Sequence, residues 1–376
     1  MAPSLVYNPR QPSLQSGDAS LTVPRRRPQD IRAYLLQGID DNPRGIVTET
    51  AKHFAVTRQA VLRHVRSLLA EGKIAVQGRT RDRRYTVVPI AKVELSLIIS
   101  PDLEEHVIWR QSIRPALEGV RENVLGICQY GFTEMLRNAI DHSESPRAVA
   151  MLDYSPHRIR IRVADSGVGV FNKIQKAFNL PDPRDAILEL AKGKLTTDPK
   201  RHTGEGIFFA SRMFDRFSIL SGKLYFAHKE QGDDWLLEDE DQSAGTMVSM
   251  VISPSSEWTT QEIFDRFASS DGNFGFSKTH VPVVLARYGD ENLVSRSQAK
   301  RLLSRFERFR EIVLDFKNVS TIGQAFADEV FRVFPHDHPQ VHLYPINVTS
   351  QVIRMISRAV AAGASESGEG NGAAQL

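Results

Sequence analysis

The stretch "GFTEMLRNAIDH", residues 131–142, spaces Glu134, Asn138 and Asp141 among Phe132, Met135, Leu136, Ala139 and Ile140. At i, i+4 and i+7 the polar groups share one face of a helix, and the apolar residues pack on its other sides. A carboxylate one turn from an amide can hold a reacting water and offer oxygen to a hard cation. Further on, the alternating strand "RIRIRVAD" runs into "DSGVGVFNKIQ", which carries Asp165, Gly167 and Gly169. An aspartate at a strand end can accept a hydrogen bond from an amino group, and the glycines let backbone come close to a ligand. "HTGEGIFFASRMF" then sets Gly204 and Gly206 at the start of a helix, where free amides favour phosphate oxygens. "GTMVSMVIS" closes the set as a strand headed by Thr246.

Each piece is common alone, but their order is specific. Helix with Asn, strand, Asp-x-Gly-x-Gly, Gly-x-Gly opening a helix and Gly-Thr on a strand resemble the GHKL superfamily. That superfamily includes gyrase, the heat-shock ninety chaperones, mismatch-repair ATPases and histidine kinases. The resemblance implies a Bergerat-type ATP-binding α/β sandwich over residues 91–256, with ATP and Mg²⁺ as cofactors. It implies that Asp165 meets the adenine amino group, with Thr246 beside it and Gly167 and Gly169 against base and ribose. Gly204 and Gly206 would meet phosphates, Asn138 would ligate Mg²⁺, and Glu134 would polarise the attacking water as the catalytic residue. Asp141 would stand behind the metal ligand. Lys192, Lys194, Lys200 and Arg201 fall in a polar insertion, about 172–203, where such domains carry a flexible lid.

What must position this set is a chain of 376 residues, 41% apolar and 25% charged, long enough for several cores. The net charge of +3 is small, so its distribution matters more. The single cysteine, Cys128, excludes an internal disulfide and reads as a buried filler in a reducing, cytoplasmic setting. No apolar run is long enough to span a bilayer, and the Pro/Ser/Gln-rich start has no signal-peptide core, so no membrane is expected. Residues 1–28 and 361–376 read as disordered.

Residues 29–90 read as three helices and a short hairpin, with Thr48 as an N-cap, Thr57 opening the third helix and Gly72 ending it. This pattern resembles the winged helix-turn-helix of bacterial transcription regulators. The segment holds 11 Lys and Arg against 6 Asp and Glu. Arg79, Arg81, Arg83 and Arg84 crowd the hairpin tip, where a wing meets phosphates. Thr57, Arg58, Gln59 and Arg63 lie off the apolar stripe, where a recognition helix meets base edges, so DNA is the expected partner. His64 lies near the apolar face as a packing residue.

Residues 275–360 alternate strand and helix: "VPVVLARYG", "SRSQAKRLLSRFERF", "REIVLDFKNVS", "GQAFADEVFRVF", "QVHLYPINV". The stretch "IVLDFKNVSTIGQAFADEVFRVF" resembles a STAS-like domain of the kind found in anti-sigma-factor antagonists. Those antagonists carry a phosphorylatable Ser or Thr at the helix start. Here the region reads Ile322, Gly323, Gln324, Ala325, Phe326, with Ser320 and Thr321 too early. A docking or dimerisation module is therefore expected, serving a protein partner or a homodimer. The fold class is α/β and α+β multidomain. The leading functional reading is an ATP-dependent regulator whose winged helix binds DNA. The alternatives are a serine or histidine protein kinase of the anti-sigma-factor type and a non-hydrolysing ATP sensor. Self-phosphorylation is disfavoured, because His106 stands nine residues before Pro115 and no dimerising helical hairpin is present.

Overall fold

In the computed structural model the described residues are 28–39, 42–79, 82–196, 204–229, 235–268, 276–289 and 291–369, with backbone alone for 229, 235–243 and 364–369. They fall into two compact units: residues up to Ile90 together with Ser155–Arg158, and Ala91–Tyr154 together with Ile159 onward.

In the first unit α1 (Pro28–Gly38), α2 (Ile46–His53) and α3 (Arg58–Ala70) precede a hairpin of β1 (Ile74–Gln77) and β2 (Arg84–Val87). Thr57 caps α3, its hydroxyl accepting from the Ala60 N–H at 3.2 Å. Gly72, at φ +67°, turns the chain out of α3 toward β1. Thr48 is not a cap: α2 already begins at Ile46 after Gly45, so Thr48 lies within its first turn. Ile31, Leu35, Ile46, Val61, Val65 and Leu68 fill one core, which Ile74 and Tyr85 of the hairpin close.

The second unit opens with β3 (Ala91–Ile98), then α4 (Glu105–Ile108), which continues as irregular helix to Leu117, then α5 (Glu122–His142). β4 (Arg147–Ser155), β5 (Arg158–Asp165), α6 (Val170–Ala177), α7 (Pro183–Lys192), α8 (Gly206–Met213), β6 (Arg216–Lys229) and β7 (Trp235–Ile252) follow. The strands form a five-stranded sheet in the order β3-β4-β5-β7-β6. Val124, Ile127, Cys128, Phe132, Met135 and Leu136 of α5 are buried in its core. Burial pushes the Cys128 thiol far up, as expected for a filler.

After α9 (Thr260–Phe267) come β8 (Lys278–Pro282), α10 (Arg296–Leu303), β9 (Glu311–Asp315), α11 (Gln324–Asp328), α12 (Phe334–Asp337), β10 (His342–Ile346) and α13 (Ser350–Glu369). β10, β9 and β8 make a three-stranded parallel sheet with β9 in the middle. The strand expected over "VPVVLARYG" ends at Pro282, which has no N–H to donate, and Val283–Ala286 form a 3₁₀ turn instead. The basic helix is shorter than its pattern: Arg305 adopts φ +64° and breaks it after Leu303. α13 is helical to Glu369, past the point where a disordered tail was expected. Residues 1–27, part of the other expected disordered segment, lie outside the described residues.

The segments 91–256 and 275–360 share one hydrophobic core. An aromatic seam joins them: Phe208 of α8 lies 4.7 Å from Phe276 between ring centroids, and Phe276 lies 5.5 Å from Phe309. Among the described residues no helix is long and apolar enough to cross a membrane.

Candidate functional site

β5 ends where α5 and α6 converge, and there a cavity opens. Asn138, Asp165, Gly169, Gly204, Gly206 and Thr246 all line it, with apolar walls from Met135, Val163, Ile174, Leu190, Leu195 and Ile219. Asp165 and Thr246 face each other in the register of β5 and β7. Asp165 Oδ1 accepts from the Gly167 N–H at 2.9 Å. Burial pushes its carboxyl above the ordinary range, against the pull of backbone N–H groups of Gly167 and Thr246. The Thr246 hydroxyl accepts from the Val170 N–H at 2.9 Å and lies 3.3 Å from Ser221 Oγ. Gly167 lines a neighbouring polar groove with Arg184 and Lys223, which Gly169 shares.

Of the α5 column, Asn138 faces the cavity and is half-buried. Glu134 is also half-buried and sits under the first residue of α8: a Cβ on Gly206 would lie 2.1 Å from its Oε2. A side chain at 206 would push the Glu134 carboxylate aside. Asp141, the outermost, is exposed and does not line the cavity. The next residue over, Arg137, pairs with Glu105 and also feels Glu134 and Asp141, which hold its guanidinium protonated.

Residues that the motifs do not name also line the cavity. Lys173 of α6 donates to the His142 carbonyl at 2.7 Å and to Glu144 at 3.0 Å. Its place one turn after Gly169 in "GVFNK" was the available signal. Leu195 and Thr196 were read as part of a polar insertion, yet Leu195 N–H bonds the Gly204 carbonyl at 3.1 Å. Gly204 needs to be glycine twice over, with φ +75° and Leu195 backbone 2.4 Å from a virtual Cβ.

The insertion is a correction to the expected flexible lid. Its described part, residues 172–196, carries most of α6 and all of α7, and α7 is buried from Asp185 to Lys192, while residues 197–203 lie outside the described residues. Lys192 is 0% exposed; its Nζ meets Glu189 Oε1 at 2.5 Å and the carbonyls of Arg301 and Ser304 at 3.2 and 2.9 Å. Lys194 donates to the Arg308 carbonyl at 3.0 Å and lies over the Phe309 ring. Neither amine is spare for a ligand. Lys200 and Arg201 lie outside the described residues.

In the first unit Thr57, Arg58, Gln59 and Arg63 are exposed on α3, and Arg79, Arg83 and Arg84 on the hairpin. Arg81 lies outside the described residues. His64 is half-buried, and burial with nearby Arg32 and Arg63 pushes its pKa down, so the ring stays neutral.

Gly323 stands at the N-cap of α11, and its N–H bonds the Leu293 carbonyl at 2.8 Å. A Cβ there would lie 2.7 Å from Val294 Cα, so a Ser or Thr does not fit at the N-cap position itself. Residues 298–352 match the family model described as a STAS-like domain of unknown function (DUF4325). The C-terminal module is STAS-like. No curated protein matches the chain. The STAS-like module presents β10 as a sheet edge, with Tyr344 and Ile346 exposed on it. A regulatory role is consistent with such a module.

Proposed function

We propose that this protein is an ATP-dependent regulator: a GHKL-type Mg·ATP site in the second unit is joined to a DNA-binding winged helix in the first. The observation that supports it most is the convergence of Asn138, Asp165, Gly169, Gly204, Gly206 and Thr246 on one cavity from sequence positions over 100 residues apart. Asp165 accepts from the adenine amino group, the role its strand-end position and burial suit. The Gly204–Gly206 turn and the amides opening α8 take the phosphates. Asn138 offers its amide oxygen to Mg²⁺. Among the described residues no cluster of three or more His, Cys, Asp or Glu could cage a metal. That fits Mg²⁺, which takes few protein ligands and fills its shell from phosphates and water. Bound Mg·ATP would supply an electrophilic γ-phosphorus; Glu134, against Gly206 at the phosphate end, would orient and take a proton from the attacking water as the β–γ bond breaks and ADP leaves.

For DNA, the support is the set of exposed arginines on α3 and the hairpin. Arg58, Arg63, Arg79, Arg83 and Arg84 make no ion pair among the described residues, so their charge is available to phosphates. The STAS-like module serves as the docking element for a protein partner or second copy.

The test follows the γ-phosphate. Purified protein is incubated with γ-labelled ATP and Mg²⁺, with Asn138→Ala as control. Label released as free phosphate, and lost in the control, supports an ATPase switch. Label on the protein or on an added antagonist replaces this reading with a kinase, and bound but unconverted ATP replaces it with a sensor.

A further inference from the structure

The wall of the cavity formed by Leu190, Leu195 and Thr196 is held from behind. Arg305, in the turn after α10, is the centre of the hold. Its Nη1 pairs with Glu189 at 2.7 Å, and its Nη2 donates to the carbonyls of Gly193, at 3.1 Å, and Lys194. Two of the groups it grips sit on the residues just before Leu195. Leu195 in turn bonds Gly204, and Gly206 lies two residues beyond, over Glu134. Around this line Lys192 ties α7 to the carbonyls of Arg301 and Ser304, the Thr279 hydroxyl donates to the Lys192 carbonyl at 2.7 Å, and Tyr288 donates to Asp185 at 2.8 Å. All of these partners beyond residue 275 belong to the C-terminal segment.

Arg305 itself stands at φ +64°, a left-handed conformation that is unfavourable for a residue with a Cβ. Such a conformation persists only where the surroundings over-determine it. A simple surface helix would need none of this. The polar groups of α7 could have faced water; instead they are desolvated against the C-terminal segment, behind the part of the cavity wall that Leu190 and Leu195 form.

We infer that Arg305 is a positioning residue for the cavity: through the Gly193 and Lys194 carbonyls it fixes Leu195 and the Gly204–Gly206 turn, so that the STAS-like module sets nucleotide affinity from within the same chain. The ligand side of this inference rests on the proposed Mg·ATP site; the positioning does not. The module is thus part of the site's structure, and anything that shifts α10 shifts the wall.

The full chain and Arg305→Met are compared by hydrogen exchange without nucleotide, and by calorimetric titration with Mg·ATP. The variant is expected to speed exchange at Leu195 and at residues 204–206 by roughly tenfold or more, with the β5 and β7 amides unchanged. Mg·ATP affinity is expected to fall roughly tenfold to hundredfold, the worth of hydrogen bonds from a charged donor. A folded variant with wild-type exchange at these amides overturns the inference. If exchange quickens but the wild type binds no Mg·ATP, the positioning stands and the nucleotide reading fails. Arg305→Lys, which keeps the cation but cannot serve Glu189 and both carbonyls, carries the same comparison where the Met variant does not fold. Its exchange rates are expected between wild type and Met, and wild-type rates there overturn the inference equally.

Discussion

Two helices of the second unit carry the same spacing of polar groups to opposite ends. On α5 the column is Glu134, Asn138, Asp141; on α7 it is Asp185, Glu189, Lys192, again i, i+4, i+7. The α5 column runs from half-buried to exposed, with Asn138 on the cavity. The α7 column is buried throughout and turned to the C-terminal segment, each member holding a partner there or on its own helix. Polar spacing on a helix therefore says which residues share a face, and burial says what that face is for. A column that borders a cavity can meet a ligand there, whereas one buried against another segment holds that segment in place.

The comparison breaks most sharply at Glu134. Glu134→Gln keeps the shape under Gly206 but cannot take a proton. Turnover of ATP is expected to fall about 10²–10⁴-fold while nucleotide affinity stays within about threefold. Single-turnover release of labelled phosphate beside equilibrium binding separates the two, and an equal loss in both would make Glu134 a binding group. On α7 the expected cost is stability. Lys192→Met removes the donor to the Arg301 and Ser304 carbonyls and leaves one oxygen of the buried Glu189 without its cation, and breaking a buried pair costs about 3–5 kcal/mol. Urea unfolding reads this as a lower midpoint at unchanged slope. A midpoint near wild type would mean that the α7 network contributes little.

The same contrast explains what was legible in the sequence. Asp165, Gly204, Gly206 and Thr246 announce themselves because each needs a particular backbone: a strand end, a positive φ, a helix start. Those demands are local and leave residue types behind. The α7 network leaves none. Lys192 meets carbonyls 109 and 112 residues away, and no local pattern distinguishes "DAILELAK" bound to a distant turn from the same letters solvated in a lid. Thr48 failed as a cap for a smaller reason. Helix α2 starts one turn earlier at Gly45, where Asn42 Oδ1 accepts the Gly45 N–H at 2.8 Å and ends the preceding turn. The first strand of the C-terminal sheet was misplaced because apolar letters continue past Pro282 into a buried 3₁₀ turn, and burial without ladder hydrogen bonds reads like a strand.

Two aspartates sharpen the comparison at lower energy, one at the cavity and one away from it. Burial raises Asp165, and among the described residues no cation pairs with it. Asp315 is also pushed up by burial, but His280 at 3.2 Å, Asn347 at 2.8 Å and the Lys317 N–H at 2.9 Å outweigh that and hold it at about 2. The signs are opposite. A carboxyl raised in the folded state favours folding only while protonated, so ionised Asp165 works against stability at neutral pH. A carboxyl lowered from 3.8 to about 2 adds stability above the unfolded value and loses it as pH falls through the folded one. Asp315→Asn is therefore expected to cost about 2 kcal/mol at pH 7, at ~1.4 kcal/mol per unit, with the difference from wild type vanishing near pH 2. Asp165→Asn is expected to leave the ligand-free protein as stable as wild type or more so, and to weaken Mg·ATP. Thermal unfolding across pH reads both. If Asp165→Asn destabilised the free protein as Asp315→Asn does, Asp165 would be a structural residue, and the cavity would lose the one group that the proposed adenine contact depends on.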